Sequence, residues 1–176
     1  MNLPSFNVFP SSTLKSGLKA GAIAATISLC ILTNDAARAE TPFAQFAGSW
    51  SGQGKITVQN GASERIRCRG TYRAGGDGMT LSLSLRCASD SYKFELASDV
   101  TYDGGNISGS WNETSRQVYG QITGRASANS ITAQASAVGF NASLSIVTRG
   151  NSQSVSIRSP GSEISEVSIS MARAGR

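Results

Sequence analysis

Three sets of residues in this 176-residue chain have types and spacings that could do chemistry. They are the cysteines Cys68 and Cys87, the arginines Arg65, Arg67, Arg69, Arg73 and Arg86, and the carboxylates Glu95 and Asp99. Histidine is absent, which removes the one side chain whose ordinary pKa lies near neutrality. The many serines therefore lack the usual general base, and no catalytic residue is expected. Glu95 and Asp99 alternate along one face of a candidate strand. A carboxylate-based hydrolase is the enzymatic alternative this leaves open, although solvated surface carboxylates are the commoner arrangement. Asp77 and Asp103 stand beside glycines in turn sequences and read as turn residues, so neither a metal nor a cofactor is expected. Cys68 and Cys87 form no Cys-x-x-Cys and have no base nearby to lower a thiol pKa. They read as a structural disulfide, with a redox role as the lesser reading.

The start of the chain supplies the compartment. Lys15 and Lys19 precede an uncharged run from Ala20 to about Leu32, and Ala37-Arg38-Ala39 has the small-x-small form of a cleavage site. Residues 1–39 thus read as a secretory signal cut before Glu40, and residues 40–176 as a single periplasmic or secreted domain. The run is too short to cross a bilayer comfortably, and no transmembrane helix is expected. Cys30 falls within the signal, leaving Cys68 and Cys87 as an even pair suited to an oxidising compartment.

The elements that position these residues are strands. Asp77-Gly78 predicts a two-residue type I′ turn, and folding the chain about it brings Cys68 opposite Cys87. Ile66, Cys68, Gly70 and Tyr72 then share a face with Leu81, Leu83, Leu85 and Cys87, while the arginines point the other way. Counted from that turn, the cysteines fall at a hydrogen-bonded pair, with a Cα separation of about 5.5 Å. Continuing the pairing turn by turn predicts Trp50 opposite Tyr72, Gly54 opposite Cys68, Leu85 opposite Phe94 and Cys87 opposite Tyr92. Further on it predicts Val100 opposite Gly109, Trp111 opposite Val118, Ile122 opposite Ala133, Ala133 opposite Leu144 and Ile146 opposite Val155. Apolar residues meet at almost every step and no segment has a helical period. The expected fold is all-β, an antiparallel up-and-down meander of about ten strands, closed into a barrel so that no edge stays open. A monomer is expected.

The expected interior is uneven. Early strands contribute Trp50, Tyr72, Leu83, Leu85 and Phe94, whereas later ones contribute Gly109, Gly120, Gly124, Ala133, Ala135 and Ala142. Small residues against large ones suit either an interdigitated core or a pocket, and the pocket reading assigns a small apolar or amphiphilic ligand to Trp50, Tyr72, Phe94, Trp111 and Phe140. Gly48-x-Trp50 resembles the Gly-x-Trp of lipocalin-type barrels, and Trp50-x-Gly52-x-Gly54 resembles the first strand of nitrobindin-like barrels. That calycin-like resemblance implies a tryptophan packed at the closed end of a barrel and an interior holding a small apolar molecule or haem. The nitrobindin-like barrels hold haem iron through a histidine, which this chain lacks. The chain is also similar to small exported bacterial proteins of uncharacterised function that share the Gly-Ser-Trp-Ser-Gly opening, Glu-Arg-Ile-Arg-Cys-Arg and Arg-Cys-Ala-Ser-Asp-Ser-Tyr.

Arg65, Arg67, Arg69 and Arg73, with Arg86 facing Arg69, make an outward basic ladder in a chain of formal net charge +5. Like charges side by side on a sheet repel, so either Glu64, Glu95 and Asp99 offset them or an anionic envelope glycolipid or polysaccharide does. This supplies the alternative function, a structural or interaction protein of the cell envelope. Nucleic acid is not expected, because no aromatic residue interleaves with the arginines. A small outer-membrane barrel is the other alternative. It needs a lipid-facing apolar belt and aromatic girdles, which a glycine-studded apolar face and short turns do not suggest.

Overall fold

The computed structural model describes residues 41–175. The segment read as a signal, with Cys30, lies outside the described residues, as does Glu40. Ten strands follow one another: β1 (Gly48–Val58), β2 (Ser63–Ala74), β3 (Thr80–Ala88), β4 (Lys93–Asp103), β5 (Asn106–Glu113), β6 (Val118–Ala126), β7 (Ser130–Ala137), β8 (Phe140–Arg149), β9 (Ser152–Arg158) and β10 (Ile164–Arg173). Each pairs antiparallel with the next, and β10 returns to β1, so the sheet is a closed barrel. Closure leaves neither edge of the meander unpaired.

Apart from Glu64 at the start of β2, the predicted faces hold along the strands. On β2, Ile66, Cys68, Gly70 and Tyr72 are buried and Arg65, Arg67, Arg69 and Arg73 are exposed; on β7, Ile131, Ala133 and Ala135 are buried between exposed polar neighbours. The apolar face is therefore the inside. An outer wall of arginine, serine, threonine and glutamine is the reverse of a lipid-facing belt, which sets this barrel apart from an outer-membrane one.

The registers divide into two groups. Cys68–Cys87, Val100–Gly109, Ala133–Leu144 and Ile146–Val155 face each other as expected. Elsewhere the pairing is displaced by two residues. Trp50 faces Gly70 rather than Tyr72, and Gly54 faces Ile66 rather than Cys68. Leu85 faces Leu96 and Cys87 faces Phe94, Trp111 faces Gly120, and Ile122 faces Ala135. Turn chemistry set these offsets. Between β3 and β4, the Ser89 amide donates to the Tyr92 carbonyl at 2.8 Å while the Ser89 hydroxyl accepts from the Tyr92 amide at 3.0 Å. That closes a tight turn over Asp90-Ser91 and carries the pairing further into the loop. A shift of two leaves every side chain on its own face, so inside and outside survive while partners change.

The Cys68–Cys87 hairpin keeps its register but not its turn. Gly78 has a positive φ of 72° and Asp77 does not, so the type I′ expectation fails. Instead the Gly75 amide donates to the Thr80 carbonyl at 2.9 Å and a four-residue loop lies beyond. This moves the hydrogen-bonded pairs along by one, so the cysteines occupy a close, non-hydrogen-bonded site. Their Cα atoms are 4.1 Å apart and the disulfide is formed.

Gly54 of β1 and Gly120 of β6 do not make cavity space. A Cβ at either would collide with backbone of the neighbouring strand, Ser168 or Ser136. They let strands approach and the barrel wall curve, and alanines rather than glycines leave room inside.

Candidate functional site

One end of the barrel is sealed. A single turn at residues 41–47, held by the Ala47 amide donating to the Phe43 carbonyl at 3.2 Å, places Phe43 and Phe46 wholly inside. Phe43 packs edge-on against Phe46 and Tyr102, at 6.5 and 6.1 Å between ring centroids. Trp50 lies beneath, its indole Nε1 donating to the Phe46 carbonyl at 2.8 Å. Arg173, from the last strand, stacks 4.3 Å from the Trp50 ring and donates to the carbonyls of Ala47 and Gln45. The arginine thus satisfies orphan carbonyls of the turn and covers the tryptophan with a cation–π contact. Phe43 and Phe46 were not among the residues singled out from sequence. Their only signal is a Phe-x-x-Phe spacing shortly before Gly48, without strand alternation.

Above this seal Tyr72 donates to Gln153 Oε1 at 3.1 Å, and Gln153 Nε2 donates to the Thr148 hydroxyl at 3.0 Å. Burial pushes the Tyr72 hydroxyl well above the ordinary phenol range, so it stays protonated and works as a donor. Among the described residues no buried side-chain polar atom is left unpartnered.

Beyond that polar layer the interior is hollow. A deep lobe of about 170 Å³ is bordered by Tyr72, Leu83, Ala135, Ala142 and Met171. An outer lobe of about 310 Å³ runs to the other end of the barrel past Phe94, Val118 and Val167. The lobes share a waist formed by Leu85, Leu96, Trp111, Phe140, Ile157 and Ile169. Trp111 and Phe140 pack at 5.4 Å between centroids, and Trp111 Nε1 is engaged by the Gln121 carbonyl at 3.1 Å. With its indole donor satisfied, Trp111 presents only ring surface to the cavity. Tyr72, Phe94, Trp111 and Phe140 therefore come together around one two-lobed space, whereas Trp50 borders neither lobe and belongs to the seal.

The outer lobe ends in a polar rim. Glu113 is buried there, accepting from the Glu95 amide at 2.9 Å, the Arg116 amide at 2.7 Å and the Ser115 hydroxyl, with the Arg116 guanidinium 3.7 Å away. Burial drives its pKa upward, but these donors and the arginine outweigh that and hold the carboxyl below the usual range. Arg116 also lies 5.0 Å from the Phe94 ring, which stacks on Tyr92 at 6.3 Å. Tyr92 in turn donates to Glu163 at 3.0 Å. The rim is thus organised around a carboxylate whose oxygens are already occupied by hydrogen-bond donors.

The remaining groups from the sequence lie outside the barrel. Arg86 pairs with Glu95 at 3.7 Å across an exposed surface, and Asp99 accepts from the Ser82 hydroxyl at 2.5 Å. Glu64, expected to face outward beside the arginines, sits instead on the inward parity at the rim, accepting from Ser89 Oγ at 2.7 Å.

Comparison with known proteins reaches the fold alone. No family model matches the sequence, and no curated protein matches it significantly. Solved structures do match. Rv2717c from M. tuberculosis superposes with a TM-score of 0.58 at 12% identity, over 76% of this chain and 95% of that one. The S-type phycobiliprotein lyase CPES from Guillardia theta gives 0.51 at 13% identity, over 76% and 91%. A DUF3598-family protein of unknown function from Nostoc punctiforme gives 0.53 at 12% identity, over 74% of this chain but only 48% of its own length. What these likenesses share with this chain is the fold, a closed antiparallel β-barrel.

Proposed function

We propose that this protein is an exported binding protein that holds a small, elongated apolar or amphiphilic molecule inside its barrel. The observation that carries the reading is the two-lobed cavity. Its outer lobe of about 310 Å³ meets the lower bound of about 300 Å³ for ligand sites, and the deep lobe extends it past the Trp111–Phe140 waist. One end is plugged by Phe43, Phe46 and Trp50, so the ligand enters at the rim. Its apolar body lies against leucine, isoleucine and ring faces, and a polar group stays with Arg116, Glu163 and the serines of the rim. The disulfide supports an oxidising compartment. Binding without turnover is supported by the absence of histidine and by a rim carboxylate already saturated with donors.

Native mass spectrometry of protein purified from its own host tests this. The expected result is a bound small molecule that is displaced by, or exchanges with, a fluorescent fatty acid. A compact empty species that takes up neither added lipids nor the fluorescent fatty acid would overturn it.

A further inference from the structure

A second surface, independent of the cavity, lies on the opposite side of β2. In the observed registers Lys55 stands directly across from Arg65, and Arg69 directly across from Arg86. Arg67 sits between them along the strand and Arg73 extends the row, all of them exposed. Two like-charge pairs face each other on one wall, an arrangement that costs stability. Among the described residues the only ion pair that reaches this group is the exposed Arg86–Glu95 contact at 3.7 Å. Glu64, on the inward parity, accepts from Ser89 and Asp99 accepts from Ser82, and among the described residues neither forms an ion pair with the ladder.

The ground around the ladder is small and hydrogen-bonding. Ser51 and Gln53 face Arg69 and Arg67 from β1, Ser82 and Ser84 flank it from β3, and Ser168 and Ser170 continue it on β10. None of the large exposed apolar side chains, Met79, Tyr119 and Val138, stands on β1, β2 or β3. The wall thus has nothing to insert into a bilayer and no ring on which a base could stack. Alternate residues of a strand lie roughly 6.7 Å apart, so the row from Arg65 to Arg73, with Thr71 between Arg69 and Arg73, spans about 27 Å of β2. Guanidinium is the side chain suited to bidentate capture of carboxylate, sulfate or phosphate oxygens.

We infer that this wall is a docking surface for a linear acidic polysaccharide, its anionic groups taken by Arg65, Arg67, Arg69 and Arg86 and its hydroxyls by the flanking serines. The partner removes the repulsion that the free wall carries.

The test uses the mature protein and four probes: polygalacturonate, neutral dextran, a single-stranded oligonucleotide and phosphatidylglycerol vesicles. Polygalacturonate is expected to bind, and the binding to vanish at about 1 M salt, where screening acts within about 3 Å. The double variant Arg67→Gln/Arg69→Gln is expected to bind at least about tenfold more weakly while melting no lower than the parent, because a like-charge contact has been removed. Arg67→Lys/Arg69→Lys should restore part of the binding. Ala142→Phe, which fills the deep lobe, should bind the polymer unchanged, separating this surface from the cavity. Equal binding by the Gln variant, stronger capture of vesicles or oligonucleotide than of polygalacturonate, or no salt-sensitive binding at all would overturn the inference.

Discussion

The two ends of the barrel contain similar residues put to opposite uses. At the sealed end three large aromatics, Phe43, Phe46 and Trp50, are wholly or almost wholly buried, and Arg173 is tied down over them. At the rim Phe94 stacks on Tyr92 and Arg116 lies over the Phe94 ring, yet Phe94 borders an open lobe. In both places an arginine lies over an aromatic ring and donates to backbone carbonyls. What differs is depth of packing. The seal is backed by a hydrogen-bonded layer of Tyr72, Gln153 and Thr148, whereas the rim is backed by a cavity. One end is filled and tied down, and the other opens onto the cavity.

That contrast can be broken in steps. Trp50→Ala should be the most damaging change, because it removes a buried ring and orphans both the Phe46 carbonyl contact and Arg173; a loss of about 3 to 5 kcal/mol is expected by denaturant unfolding. If Trp50→Ala were nearly neutral, the seal would not be the stabilising end. Next comes Cys68→Ser/Cys87→Ser, which opens a loop closed across a sequence separation of 19. It should cost about 3 kcal/mol, and reductant should give the parent protein the same melting temperature as this variant.

Filling the deep lobe sharpens the comparison from the other side. Ala142→Phe adds volume where Ala142 borders the lobe, so fluorescent fatty acid binding is expected to weaken about tenfold, near 1.4 kcal/mol, with the secondary-structure spectrum unchanged. Unchanged affinity would place the ligand elsewhere. The smallest effect belongs to the rim carboxylate. The folded-state pKa of Glu113 is depressed, so its contribution to stability is present above the ordinary carboxylate range and is lost as pH falls through the folded value. Glu113→Gln should therefore lower stability by about 1 kcal/mol at neutral pH, with the gap to the parent shrinking in acid. A gap that persisted at low pH would mean packing rather than charge governs the rim.

Alternation made most of the barrel legible. Period-two burial told Ile66, Cys68 and Tyr72 from Arg65, Arg67 and Arg69, and the two cysteines anchored one register outright. Other registers were read two residues away because Leu83 and Leu85, or Gly109 and Trp111, are equally acceptable inward partners; alternation constrains parity but not phase. Phe43 and Phe46 left almost no trace because a single turn has no period to detect. Trp50 was placed among ligand contacts by its size and inward parity, and neither property says how far along the barrel axis a side chain stands.

The chain alone determined an all-β meander, which residues of each strand share a face, the Cys68–Cys87 pairing and the linear ladder of arginines. These follow from nearest-neighbour geometry, since strand periodicity is a local property of the backbone. Only the tertiary structure decided that the apolar face is the inside, that the first turn plugs one end, and that the interior is hollow between Tyr72 and Phe94. Those outcomes depend on which strands meet across the barrel and at what height, where small shifts in several turns accumulate. Cavity volume is a difference between large occupied volumes and is written in no single stretch of sequence.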